Sequence, residues 1–84
     1  MDLPELKAVW NKVLDAIEQE NRIAWLSFFD ARLVSLENDR LLIDFTDSDK
    51  FSGGSDFQEV RKRYVRLLQD KIQEITEVKM EVVW

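Results

Sequence analysis

The stretch Ala31-Arg32-Leu33-Val34-Ser35-Leu36-Glu37-Asn38-Asp39-Arg40-Leu41-Leu42-Ile43-Asp44-Phe45 decides the fold. Side chains here recur with a period of two, and Asn38-Asp39 interrupts the run with residues that tolerate the left-handed backbone of a tight hairpin turn. A two-residue turn there pairs Glu37 with Arg40, Leu36 with Leu41, Val34 with Ile43 and Arg32 with Phe45. In that register Val34, Leu36, Leu41, Ile43 and Phe45 form one apolar face. Ser35, Leu42 and Asp44, together with Leu33, take the other. A slip by one residue would turn the apolar set outward, so the register is strongly specified.

On the N-terminal side the period changes to that of a helix. Leu6, Val9, Trp10, Val13, Leu14 and Ile17 recur at steps of three and four, which predicts an amphipathic helix over 4–20. Pro4 suits its first turn and Glu5 its positive end. Asn21 is placed to cap a second helix over 22–29. Its Ile23, Ala24, Trp25, Leu26, Phe28 and Phe29 surround the axis, more apolar surface than one wall can bury. On the C-terminal side, 46–56 carries Asp, Ser and Gly53-Gly54 and is expected as a mobile loop. Ser55 or Asp56 then caps a long helix with Phe57, Val60, Tyr64, Leu67, Leu68, Ile72 and Ile75 on its stripe, ending near Thr76. Glu59 stands four residues before Arg63 for surface support. Val78, Met80, Val82 and Trp84 alternate with Lys79, Glu81 and Val83, as in a half-buried strand. The order α-α-β-β-α-β predicts a two-layer α+β fold, a three-stranded sheet covered on its apolar face by the helices.

The 84 residues suit a single domain. An apolar fraction of 45% and a mixed-sign charged fraction of 35% are those of a folding chain. The absence of Cys and His excludes disulfides, thiolate nucleophiles, imidazole bases and sulfur- or nitrogen-ligated zinc. The serines have no imidazole to activate them, so no enzymatic activity and no cofactor are expected. Asp44, Asp47 and Asp49 do not make a calcium loop: Phe51 stands where an oxygen ligand is needed, and Glu59 is one residue too far to close it. Twelve Lys and Arg against 17 Asp and Glu give a net charge of −5, the wrong sign for gripping phosphates or anionic lipid. The start of the chain lacks the basic and apolar regions of a signal peptide. No apolar run approaches the roughly 18 residues of a membrane span, so a cytoplasmic protein is expected. It reads equally as a whole small protein or as a piece of a longer one.

The element order, the Trp10 to Ile17 spacing, the stretch from Ala31 to Phe45 and Phe51 beyond it resemble the truncated KH-like domain in the C-terminal part of the bacterial DNA polymerase III tau (gamma/tau) subunit. The chain is similar in the same places to the N-terminal domain of the bacterial replication initiator. The resemblance covers nearly the whole chain and rests on spaced apolar residues and a hairpin, without a catalytic motif. The tau-like likeness implies a protein-binding module that tethers the polymerase core to the clamp loader. The initiator likeness implies self-association or recruitment of the replicative helicase. The implied partner is thus a replication protein, the polymerase catalytic subunit or the helicase.

Three aromatic residues are the candidate partner contacts: Trp25 and Phe28 on the short second helix, and Trp84, which can complete the core or form an exposed contact. Trp10 is expected in the core, although in the initiator relative a Trp at a similar place mediates self-association. Arg61, Lys62, Arg63 and Arg66 form the basic cluster, and Lys62, Arg63 and Arg66 project off the apolar stripe as candidate nucleic-acid contacts. Glu59, Asp70 and Glu74 share their face, which favours a solvated, salt-bridged surface. KH domains hold RNA with a G-x-x-G loop between helices. Here the glycines are adjacent, follow a strand and lie among Asp47, Asp49 and Asp56, so RNA is not the expected partner.

Overall fold

Asp2 starts the first helix by accepting a hydrogen bond from the Glu5 amide at 2.9 Å, one of the donors a helix N-terminus leaves without an intrahelical partner. In the computed structural model, which describes residues 1–45 and 57–84, α1 runs Leu3–Glu20 and buries Leu6, Trp10, Val13, Leu14 and Ile17. That is the expected stripe, Trp10 included. Asn21 then works in both directions. Its amide donates to the Ile17 carbonyl at 2.7 Å, ending α1, and its side-chain oxygen accepts from the amides of Ile23 and Ala24, starting α2, Arg22–Phe28.

The hairpin forms as β1, Arg32–Glu37, and β2, Arg40–Asp44. Asn38 and Asp39 take φ of 52° and 59°. Both turn residues are thus left-handed, the condition of a turn whose twist matches the flanking strands. The expected register holds near the turn, with Glu37 facing Arg40, Leu36 facing Leu41 and Ser35 facing Leu42. It then shifts: Leu33 faces Ile43 and Arg32 faces Asp44, leaving Val34 as the extra residue of a bulge. Two expectations are corrected by this. Val34, assigned to the core face, is exposed, and Leu33, assigned to the outer face, is buried. Alternation cannot choose between two adjacent apolar residues, and the bulge puts the larger one inside. It also interrupts β1, an edge strand, where an unbroken ladder would invite pairing with another chain.

The third helix, α3, spans Phe57–Thr76. It ends where Glu77 turns left-handed at φ 62° and its amide returns to the Gln73 carbonyl at 2.8 Å. The loop expected over 46–56, its Ser55 or Asp56 cap, Phe51 and the Phe57 side chain lie outside the described residues. The last strand, β3, is shorter than its alternating pattern and pairs only over Glu81–Val83, though Met80 and Val82 point inward as expected. It lies parallel to β2, so the sheet is mixed, ordered β1-β2-β3, with α3 as the crossover a parallel pair requires. The Gln69 side chain accepts from the Val82 amide at 2.9 Å and ties β3 to α3.

The chain is therefore the α+β fold expected, with three helices and three strands among the described residues. The helix layer differs in one respect. α1 packs on β1 and α3 on β3, whereas α2 packs on α1 and α3 and not along a strand. Phe28 reaches toward the ends of β2 and β3, its ring 6.2 Å from Phe45 and 6.4 Å from Trp84. Lys71 bolts the helices together, 3.3 Å from Glu20 on α1 and 3.0 Å from Glu74 on its own helix. The hydrogen bond that the Lys71 ammonium donates to Glu74, opposed by desolvation and supported by Glu20, holds its pKa above the usual lysine range. Among the described residues no helix is long and apolar enough to cross a membrane.

Candidate partner-docking surface

The small residues of α2 decide which way it faces. Ala24 and Ser27 are buried with Phe28 where α2 approaches α1 and α3, and the Ser27 hydroxyl is satisfied by the Ile23 carbonyl at 3.0 Å. A helix turns about 100° per residue, so the opposite side must carry Ile23, Leu26 and Phe29. These three are 59%, 48% and 47% exposed. All are large and apolar, and they are neighbours on one short helix, which is the pattern of a surface that meets another macromolecule.

Phe28 must be corrected as a partner contact. Its exposure is 0%, and it sits at the centre of an aromatic cluster with Phe45 and Trp84. Phe45 and Trp84 meet edge to face at 5.7 Å and 90°, and the Arg61 guanidinium lies 3.6 Å from the centroid of the Phe45 ring. Phe28 therefore supports the surface from below and cannot itself touch a partner. The other two candidates stand at the border of core and solvent. Trp25 is half-buried and stacks on Phe29 with 5.0 Å between centroids. Trp84 is 38% exposed with its inner edge against Phe28. On the wheel Trp25 and Phe29 lie about 60° and 100° from Phe28, so these two stacked rings share one flank of α2, while Trp84 meets the helix at Phe28.

The sequence offers the whole helix Ile23 to Phe29 as a candidate surface with Trp25 and Phe28 as anchors, and does not single out Ile23, Leu26 and Phe29 because α2 is apolar all round. The signal available was residue size: Ala24 and Ser27 permit a close helix approach, so the large residues opposite them are left outside. The open face of the sheet adds a shallow depression of about 410 Å³ bordered by Ser35, Arg40, Leu42 and Val83. Arg40 and Glu81 there stand 3.6 Å apart, both largely in solvent.

Lys62, Arg63 and Arg66 are exposed on α3, in line with Glu59 and Asp70. They are solvated as expected, but among the described residues none of the three basic side chains is in an ion pair. Arg61 faces inward instead, 1% exposed. Among the described residues no three His, Cys, Asp or Glu side chains gather to hold a metal ion. No family model, curated protein or solved structure matches the chain.

Proposed function

We propose that the chain is a non-catalytic interaction domain of a DNA replication protein, acting in the cytoplasm as the resembled tau module does by tethering the polymerase catalytic subunit to the clamp-loader assembly. The observation that supports it most is the aromatic flank formed by Trp84, Trp25 and Phe29 over the buried Phe28. Such a surface is preorganised: Trp25 and Phe29 are stacked on each other and Trp84 is held against Phe28 and Phe45, so little side-chain freedom is lost when a partner covers them. An apolar segment of the polymerase subunit is the occupant this chemistry suits, with the exposed charges around the flank as a polar rim.

Titration of the chain into the isolated polymerase catalytic subunit tests this. Binding should change little between about 50 and 300 mM salt, because apolar contact releases few counterions. Trp84→Ala and Phe29→Ala should each weaken it by about tenfold or more, the loss expected of a central aromatic contact. Unaltered affinity in both variants would remove the flank from the interface.

A second reading is supported by the exposed Lys62, Arg63 and Arg66, which lack ion-pair partners among the described residues. They would suit a weak nucleic-acid contact. Its signature is affinity for a single-stranded oligonucleotide that falls steeply with salt. An initiator-like role is the remaining alternative and would show as self-association or as binding to the replicative helicase.

A further inference from the structure

The charges of α3 are arranged against the stability of the helix. A helix turns about 100° per residue, so Glu59, Lys62, Arg63, Arg66, Asp70 and Glu74 fall within about 60° of one line, and all six are exposed. Along that line the three cations stand together, with an acid at either end. Lys62 and Arg66 are four apart and Arg63 and Arg66 three apart, spacings at which like charges meet and weaken a helix. The neighbouring acids do not relieve this. Among the described residues, neither Glu59, four before Arg63, nor Asp70, four after Arg66, comes within ion-pair distance of the cluster. Glu74 is answered by Lys71 instead, at 3.0 Å. The last turn carries no basic residue, although that end of a helix favours one. A local arrangement that costs stability without compensation marks a place used by another molecule.

From this we infer that Lys62, Arg63 and Arg66 dock a short acidic segment of a protein partner, two or three carboxylates set within one or two turns of length. The cluster spans about 6 Å along the axis, and Glu59 and Asp70 close it at points about 16 Å apart, so the positive surface is discrete. Its two guanidinium groups suit carboxylates, which they hold with paired hydrogen bonds. Charge limits how long the occupant can be. The chain's net charge is −5, and setting these three cations aside leaves −8 on everything else. A nucleic acid carries a negative charge at every nucleotide and runs on past the cluster toward Asp70, Glu74 and the acidic body behind them, which repel it. A short acidic segment ends where the positive surface ends. The same three side chains can touch an oligonucleotide, but only against that repulsion. The docking does not depend on the tethering role, which uses the aromatic flank and is insensitive to salt.

Amide NMR of the whole chain tests it with three titrants: a blocked peptide of four consecutive glutamates, the same peptide with glutamines, and a single-stranded thymidine pentanucleotide with four phosphates. The glutamate peptide should shift the amides of 62–66, with a Kd of about 0.1–1 mM at about 20 mM salt that weakens about tenfold by about 200 mM. The glutamine peptide should shift none of them. The pentanucleotide, equal in number of charged groups, should bind about threefold more weakly or worse. Arg63→Lys with Arg66→Lys keeps the charge but loses the fork, and should weaken the peptide about threefold. Lys62→Glu with Arg66→Glu should abolish its binding and leave the circular dichroism spectrum unchanged, since both side chains are exposed. Asp70→Lys opens the acidic end of the cluster and should raise affinity for the pentanucleotide more than for the peptide. No shifts at 62–66 with the glutamate peptide, a pentanucleotide that binds as tightly as the peptide, binding that survives the double glutamate variant, or equal gains from Asp70→Lys would each overturn the inference.

Discussion

Replacing Phe28 with Ala separates support from contact on α2. Its ring is 0% exposed and has two aromatic neighbours, Phe45 at 6.2 Å and Trp84 at 6.4 Å. Deleting a buried Phe side chain costs about 3–5 kcal/mol through lost transfer energy and the cavity left behind. This site falls toward the upper end, because Phe28 is fully buried between α2 and the Phe45 and Trp84 rings, and the cavity is lined by rings that cannot all collapse into it. A chain of 84 residues has a total stability of about 4–13 kcal/mol. The variant therefore loses a large fraction of that, and at about 4–8 °C per kcal/mol its Tm should fall by about 12 °C or more. Trp25→Ala is the control. Trp25 is half-buried and has one ring partner, Phe29 at 5.0 Å, so the loss should be only about 1–2 kcal/mol. Urea unfolding followed by far-UV circular dichroism reads both variants on the same scale. Equal losses, or a Phe28→Ala penalty under about 1.5 kcal/mol, would refute the assignment of Phe28 to the core and return it to the partner surface.

Other perturbations test separate parts of the fold. Glu77→Gly should stabilise the chain by about 0.5–1 kcal/mol, because the left-handed φ of 62° that ends α3 is free of steric cost only for glycine; a loss of stability would mean the side chain matters there more than the backbone. Trp10→Phe should cost under about 1.5 kcal/mol, against about 3–5 for Trp10→Ala. The Trp10 indole N–H is buried without a hydrogen-bond partner among the described residues, and its removal offsets part of the lost ring volume. Similar costs for the two variants would contradict that. Lys71 contributes through a pKa raised above its unfolded value, so its stabilisation is complete below about pH 10.5 and is lost as the pH rises through the folded value. Because Glu20 and Glu74 are more than half exposed, the effect should stay under about 1 kcal/mol. Lys71→Met should flatten the stability profile in that alkaline window and nowhere below it.

What was legible in the sequence followed from strong local signals. Asp2, Asn21 and the Asn38-Asp39 pair each perform a task their side chains favour, so the ends of α1, the start of α2 and the hairpin turn are all where they were expected. The stripes of α1 and α3 had one face each and left no choice of orientation. The misplacements occurred where local pattern was degenerate. Leu33 and Val34 are adjacent and both apolar, so nothing in alternation revealed the bulge that exchanges them. The wheel of α2 is apolar throughout, and which side turns inward was decided by packing: Ala24 and Ser27 fit between α1 and α3 where Leu26 and Phe29 would not. Phe28 was carried inward with them. The exposure expected at Phe28 thus falls to its neighbours, which is a matter of tertiary fit that residue type alone does not encode.

Isothermal titration of the chain into the polymerase catalytic subunit at several temperatures tests most directly whether the domain works by apolar contact. Burial of the Trp84, Trp25 and Phe29 flank predicts a clearly negative heat-capacity change, reduced in Trp84→Ala and little affected by salt. Absence of binding, or binding with a heat-capacity change near zero and a steep salt dependence, would contradict it.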